Sequence, residues 1–391
     1  MHYPGEIIFP DYTGQGISSL LPEIFSRLGS QIRGQPGLSR EIIPEEIFKG
    51  VKRIVLILID ALGYNTLNRF RRKQGVSLLD HADLFSRLTS VTPSTTSTSL
   101  CTLSTGVPPG IHGIVGYRLL LSRNELVDII SFKRAYSDLF IEIDPEDQMC
   151  APPAYPLLTS GRACILTRDR YATSPFSRMI YRGCDVRTYF DFSDLCVLSR
   201  RVIPKYPFTY IYWDMIDTLG HIYGVNSEET FTEIEHIDRW LSEELIETSP
   251  PGTLFLITAD HGQIDTAPAR RERFNDHPDM IQMLRSLPGG DSRLPYLYVK
   301  RGKIADVIDY VKSNMKGVSS ILERRSAVAS GIFGEVNPSP EVMKRIGDII
   351  IIPRGNWKFV YFYKEGQRDL IGRHGGLSED EMYVPLIAIR R

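Results

Sequence analysis

The chain has 391 residues, enough for one large α/β domain with insertions or for two ordinary domains, so the size of its core is not limiting. Its 46 Lys plus Arg stand against 47 Asp plus Glu, a formal net charge of -1, which argues against stable binding of nucleic-acid duplexes. The five cysteines are odd in number and include no CxxC pair, which excludes a small disulfide-stapled framework and points to a reducing compartment.

The N-terminus, MHYPGEIIFPDYTG, lacks a basic stretch followed by an apolar one. No run reaches the roughly 18 apolar residues needed to span a bilayer, so a soluble, cytoplasmic protein without a membrane partner is expected. The first strong element is VLILID, a strand over 54–60 that is apolar on both faces and closes on Asp60. A carboxylate there lies at the carboxyl edge of a parallel sheet, where open α/β folds bind their ligands, although strand-end aspartates also serve as caps and turn formers.

Residues 89–106, TSVTPSTTSTSLCTLSTG, crowd Ser and Thr hydroxyls between Pro93 and Gly106. A nucleophile at the start of a helix profits from free N–H groups that hold a phosphoryl oxygen, and Thr96 is the candidate. The plain alternative is a hydroxyl-rich capping turn. His112, in GIHGIVGY, is equally consistent with support for that helix and with a structural role.

From Arg118 to about Pro207 the chain is poor in clean period and rich in Arg, Tyr, Pro and Asp, and a first excursion over the site is expected there. A second buried strand follows at 208–214, and DTLGH then places Asp217 and His221 four residues apart, on one side of a helical turn. The spacing of Phe231, Ile234, Leu241 and Leu245 predicts a helix over 226–247, with Ser227 as its N-cap. The third strand, 253–259, runs into Asp260 and His261. Adjacent side chains reach one centre only where the strand breaks into a loop, which Gly262 permits.

Beyond it lie the charged run at 269–276, expected to be an exposed face, and the turn-rich LPGGDSRLP, which marks a boundary near 264–294. A helix on Ile304, Val307, Ile308 and Val311 and strand-like runs at 295–299, 348–352 and 358–363 suggest an α+β insertion. His374 follows in RHGGLSEDEMYVPLIA, where glycines let backbone approach a site and VPLIA returns to a core strand. His2, His81, His236 and His277 are expected to be solvated or structural. With no repeat and no linker, the expectation is a single domain, 1–391, with inserted segments at about 118–207 and about 264–373 capping the site. Its class is α/β, a doubly wound, mainly parallel central sheet with helices on both faces and α+β caps. Three carboxylates (Asp60, Asp217, Asp260) and three imidazoles (His221, His261, His374) at such an edge are what a two-metal hydrolytic site requires.

Taken in order over nearly the whole chain, LILIDALG, TPSTTSTSLCTLSTGVPPGIHGIVGY, DMIDTLGHIYG, ITADHG and RHGGLSEDEMYVPL resemble the alkaline phosphatase superfamily, and most of all its type I phosphodiesterase/nucleotide pyrophosphatase branch. The resemblance implies a mainly parallel sheet between helices, inserted caps, and two divalent metal ions at the carboxyl edge. Zinc (Zn2+) is preferred for the His-rich ligand set, while manganese, cobalt or iron fits the same donors. The resemblance assigns Asp217, His221 and His374 to one ion, and Asp60, Thr96, Asp260 and His261 to the other. Counting back without gaps from His112 and Gly113 puts the nucleophile on Thr96, with Thr95 and Ser94 as the neighbours that a slip in register would promote. Ser99 falls where many relatives carry an Asn that donates to a phosphoryl oxygen; a hydroxyl is shorter and donates once, so backbone N–H groups and metals would carry more of that task.

The implied reaction is a double displacement through a covalent phospho- or nucleotidyl-threonine, with net retention at phosphorus. Its substrates would be phosphodiesters or pyrophosphates of nucleotides, or related small phosphoesters. A phosphomonoesterase on the same site is the alternative, with Arg118, the Arg270–Arg271–Arg273 cluster or Arg373 as the extra cation. A sulfatase is disfavoured because TPSTTSTS has no nearby Arg. A catalytically silent relative is disfavoured because all six ligands remain. No sequence feature sets an oligomeric state.

Overall fold

A computed structural model describes residues 7–121 and 125–391 of the chain. The three apolar runs form neighbouring parallel strands, with Arg53–Ile59 in the middle, Phe208–Trp213 on one side and Thr253–Thr258 on the other. Every residue from Ile54 to Ile59 is buried, because both faces of the strand are covered and aliphatic side chains suit both. Register then decides function: Ile59 pairs with Trp213, and Leu58 with Thr258. The three strands stop at one level, just before Asp60, Asp214 and Asp260.

The central sheet has seven strands, in the order Leu84–Thr89, Tyr383–Arg390, Thr253–Thr258, Arg53–Ile59, Phe208–Trp213, Ala163–Arg168, Asp185–Tyr189. From Thr253–Thr258 to Asp185–Tyr189 all pairings are parallel, and Tyr383–Arg390 runs antiparallel to both of its neighbours. Two of these strands correct the expectation that the whole interval 118–207 is an excursion. Ala163–Arg168 and Asp185–Tyr189 belong to the main layer; the apolar run of the first is only the four residues ACIL, and the second is a polar edge strand whose middle is exposed.

The remaining insertions build a second seven-stranded sheet, antiparallel throughout. Its order is Val318–Glu323, Ile349–Pro353, Leu294–Leu297, Gly289–Asp291, Arg118–Leu120, Leu126–Asp128, Lys133–Arg134. Both inserted intervals contribute to it, joined where Gly290 pairs with Arg118. LPGGDSRLP is therefore a tight hairpin inside this sheet rather than a boundary, with Asp291 facing Leu294 across the turn. The helix Ile304–Asn314 packs beside it through buried Val307 and Val311, while Ile304 stays exposed.

The helix expected over 226–247 is continuous but changes pitch. Ser227 caps it by accepting from the Thr230 N–H at 3.2 Å, Glu228–Arg239 is α-helical, and Trp240–Ile246 widens to a π-helix. Phe231, Ile234, Leu241 and Leu245 are all buried, and the wider turn adds Trp240 and Ile246 to the same covered face. Among the described residues no helix is long and apolar enough to cross a membrane.

Candidate active site

The hydroxyl-rich segment leaves the strand Leu84–Thr89 and opens the helix Thr96–Thr105, with Thr95 as its N-cap and Gly106 in the left-handed conformation that ends it. From Ser90 to Gly106 every residue is buried except Thr96. The neighbours that a slip would promote are engaged elsewhere: Ser94 Oγ donates to the Gly376 carbonyl at 2.7 Å, and the Thr95 hydroxyl bonds the Asp291 carboxylate. Thr96 Oγ1 instead lies 3.1 Å from His261 Nε2.

Around that point the strand ends converge. His261 Nε2 is 3.3 Å from Asp260 Oδ2 and 3.6 Å from Asp60 Oδ1. Asp260 turns its other oxygen to the N–H groups of Ala61, at 3.1 Å, and His261, at 3.0 Å. Asp60 accepts from the Tyr212 hydroxyl through its other oxygen. Ala61 is held at φ 61°, so the turn after Asp60 is strained where it meets the site. Burial, followed by the charges of Asp260 and Asp217, pushes the Asp60 carboxyl well above its ordinary range, and burial raises Asp260 as well.

The second group gathers on the helix Met215–Tyr223 and the loop after Gly372. Asp217 Oδ1 is 3.4 Å from His221 Nε2, one turn on, and 3.6 Å from His374 Nε2. The rings of His261 and His374 stack with centroids 4.0 Å apart, which brings the two groups together. His221 Nδ1 donates to the Gly372 carbonyl at 2.7 Å and His261 Nδ1 to the Gly262 carbonyl at 3.1 Å, which fixes each ring so that Nε2 faces a carboxylate. Burial and the neighbouring His261 and His221 lower the basicity of His374, which is neutral.

Gly262 matters for its missing side chain rather than its torsion: a Cβ there would lie 2.1 Å from the Asp380 carbonyl oxygen and 2.9 Å from Gly63 Cα. Gly375, with φ 106°, takes a conformation that suits only glycine and turns the chain away from His374.

A cavity of about 420 Å³ opens over Thr96. Leu100, Phe176, Ile180 and Tyr181 give it an apolar side, and Arg118, Arg368 and Arg373 line it as cations. The Arg270–Arg271–Arg273 cluster is not on the cavity; Arg271 is instead 2.7 Å from Asp369. Asp291 also lines the cavity, and burial pushes its carboxyl up to about 6 against hydrogen bonds from the Tyr117 N–H and the Thr95 hydroxyl.

The structure gathers Asp60, Thr96, Asp217, His221, Asp260, His261 and His374, but not Ser99. Ser99 is fully buried, its hydroxyl 3.4 Å from Ser90 Oγ; three residues past Thr96 it stops about 60° short of a full turn, and Leu100 takes the place on the cavity. His112 is also fully buried. Its Nδ1 accepts from the Ile114 N–H at 3.1 Å and its Nε2 meets Thr102 at 2.9 Å, and burial holds it down at about 3 as a neutral strut for the Thr96 helix. His277 is structural, paired with Glu272 at 2.8 Å, and His2 lies outside the described residues.

Two residues escaped the sequence reading. Gln263 donates to both the backbone and side-chain oxygens of Asp217, and its place two residues after His261 in the same loop was the available signal. Asp291 had none, since GGD is indistinguishable from an ordinary turn.

The fold and this edge of converging carboxylates and imidazoles define a hydrolase of phosphoester bonds. A model of the type I phosphodiesterase / nucleotide pyrophosphatase family matches residues 54–136 and 165–377. The chain belongs to that family, within the alkaline phosphatase superfamily. Similar solved structures include murine ectonucleotide pyrophosphatase / phosphodiesterase 5, at 14% identity and TM-score 0.65 over 86% of this chain and 87% of that one. An inactive Thr-to-Ala variant of the murine protein is also known in complex with AMP. Phosphonoacetate hydrolase from Sinorhizobium meliloti 1021, in complex with phosphonoformate, has 20% identity and TM-score 0.64 over 88% of this chain and 91% of that one. No curated protein matches the chain by sequence.

Proposed function

We propose that the chain hydrolyses phosphodiester or pyrophosphate bonds of nucleotides or related small phosphoesters, with Thr96 as covalent nucleophile and two divalent cations, zinc first among them, as cofactors. One observation carries the metal reading. Asp60 Oδ1 and Asp260 Oδ2 are buried without a hydrogen-bond partner among the described residues, and both face Nε2 of His261. Acceptors facing one another in a buried site are unfavourable until a cation lies between them. Asp217 Oδ1, 3.4 Å from His221 Nε2 and 3.6 Å from His374 Nε2, is a second convergence of ligand atoms, less buried and also accepting from Gln263.

Bound at these two groups, divalent ions supply positive charge that favours ionisation of a hydroxyl and neutralises phosphoryl oxygens. Thr96 Oγ1 then bonds to phosphorus as the P–O bond to the leaving group breaks in line. Water subsequently displaces Oγ1, releasing the phosphate product with net retention. Free N–H groups in the first turn of the Thr96 helix point at the phosphoryl group, a task in which Ser99 takes no part. The inactive Thr-to-Ala relative and its AMP complex support both the nucleophile and a nucleotide-sized ligand.

The cations on the cavity favour one second reading, a phosphomonoesterase, because a monoester carries an extra negative charge. The ratio of rates on p-nitrophenyl phosphate and on the p-nitrophenyl ester of thymidine 5′-monophosphate, measured with bound metal, tests both. A larger rate on the diester supports the proposal, and a larger rate on the monoester replaces it. Neither rate, with metal bound in less than molar equivalence, would mean a silent fold. The five free thiols, with Cys150 exposed, fit work in a reducing, cytoplasmic setting.

A further inference from the structure

The charges behind the cavity do not balance, and the imbalance centres on Arg373. This residue lies on the short strand Gly372–Arg373, paired with Ile264–Asp265 and one step before His374. Its ion-pair partner is Asp369, at 3.5 Å. That carboxylate already takes Lys358 Nζ at 2.6 Å and Arg271 at 2.7 Å, so one negative charge serves three positive ones. Arg373 Nε is buried without an acceptor among the described residues. Arg368, on the same wall, makes no ion pair among them either. Arg118 is different, because Asp128 at 2.8 Å matches it.

A poorly neutralised guanidinium at 17% exposure is costly to keep, and a water-filled cavity offsets only part of that cost. Asp60, Asp214, Asp217 and Asp291 also line the cavity, but among the described residues none of them is within ion-pair distance of Arg373, and Asp214 is taken by Arg168 and Arg170. From these contacts we infer that Arg373, flanked by Arg368, is an anion subsite beside the Thr96 centre, and that it takes a second phosphate or a carboxylate on the substrate. The inference rests on the hydrolase reading and narrows it to phosphoric anhydrides, or to phosphoesters and phosphonates that carry another anionic group. An arginine suits this use, since its planar fork meets a carboxylate or phosphate with two parallel hydrogen bonds.

The test is calorimetric titration of the metal-loaded full chain with methylphosphonate, phosphonoacetate and 3-phosphonopropionate, which share a phosphonate and differ in the added carboxylate and its reach. The wild type should bind at least one of the two carboxylates about tenfold more tightly than methylphosphonate, as one charge-assisted pair allows. In Arg373→Ala the ratio should fall to about one, and Arg373→Lys, which keeps the charge for Asp369 but loses the fork, should fall between. A ratio near one in the wild type, or a ratio unchanged in both variants, overturns the subsite. Failure of metal-loaded wild type to bind methylphosphonate at all would instead overturn the hydrolase reading, and the subsite with it.

Discussion

Arg293 and Glu381 form a two-pronged ion pair, at 3.0 and 2.8 Å, with side chains only 3% and 0% exposed. The pair joins the second sheet to the loops that carry ligands. The Glu381 carboxylate also accepts from the Gly376 N–H at 2.9 Å and the Ser378 hydroxyl at 2.6 Å, and its carbonyl accepts from the Gly262 N–H at 2.9 Å. Both His261 and His374 are thus tied to one residue. Glu381→Ala leaves a buried guanidinium unmatched and should cost about 3–5 kcal/mol in urea unfolding, with weakened metal binding. A loss below about 1 kcal/mol would show that the pair is replaceable.

Thr96 is the partly exposed hydroxyl of its segment, whereas Ser94 and Thr95 are bonded inward. Thr96→Ala should lower kcat by roughly four to six orders of magnitude, as loss of a nucleophile does, while bound metal is retained. Ser94→Ala and Thr95→Ala should keep most of the turnover. Full activity in Thr96→Ala, measured by nitrophenol release, would move the nucleophile elsewhere.

Removing metal should reverse the ranking of wild type and Asp60→Asn. Burial and neighbouring carboxylates raise the Asp60 carboxyl in the fold, so in the stripped protein its contribution is present below the unfolded value and is lost as pH rises through the raised one. With chelator at pH 8, Asp60→Asn should melt above the wild type, and the gap should close towards acid. With metal restored, it should melt below. A thermal melt of both proteins in both conditions reads the crossing.

Asp291 titrates at about 6 in the fold, above an unfolded carboxylate, so wild-type stability relative to Asp291→Asn should fall as pH rises from about 4 to about 6 and then level off. The whole drop should not exceed about 3 kcal/mol. Chemical denaturation at several pH values measures it, and a flat difference would mean that the hydrogen bonds from Thr95 and Tyr117 hold the carboxylate ionised throughout.

Gln263 orients Asp217 from outside the ligand set. Gln263→Ala should weaken metal affinity by about 10–100-fold, as loss of an orienting partner does, with little change in global stability. Competition with a chromogenic chelator gives the number directly.

The candidate ligands were readable because three strands buried on both faces announce themselves as unbroken apolar runs, with Asp60 and Asp260 following two of them at one level of the sheet and Asp217 on the helix that follows the third. The edge strand Asp185–Tyr189 was not readable, since its exposed middle makes it polar. Neither was the shared second sheet, whose joining pair, Gly290 with Arg118, is far apart in sequence and leaves no local mark. Ser99 was misplaced by position counting. A helix turns each residue by about 100°, so a place one turn from Thr96 faces the cavity only if the helix leans that way. Here it leans so that Leu100 lines the cavity instead.

The strand Tyr383–Arg390 sits between Leu84–Thr89 and Thr253–Thr258, inside the sheet. During synthesis the first three ligand segments leave the ribosome well before His374 and the strand that anchors its loop. A nascent chain accordingly exposes an acidic pocket that lacks its closing imidazole, and its main layer has a gap between the edge strand Leu84–Thr89 and the parallel block. The full cluster, with His374 stacked on His261 and facing Asp217, forms only once this strand has been released to slot into place.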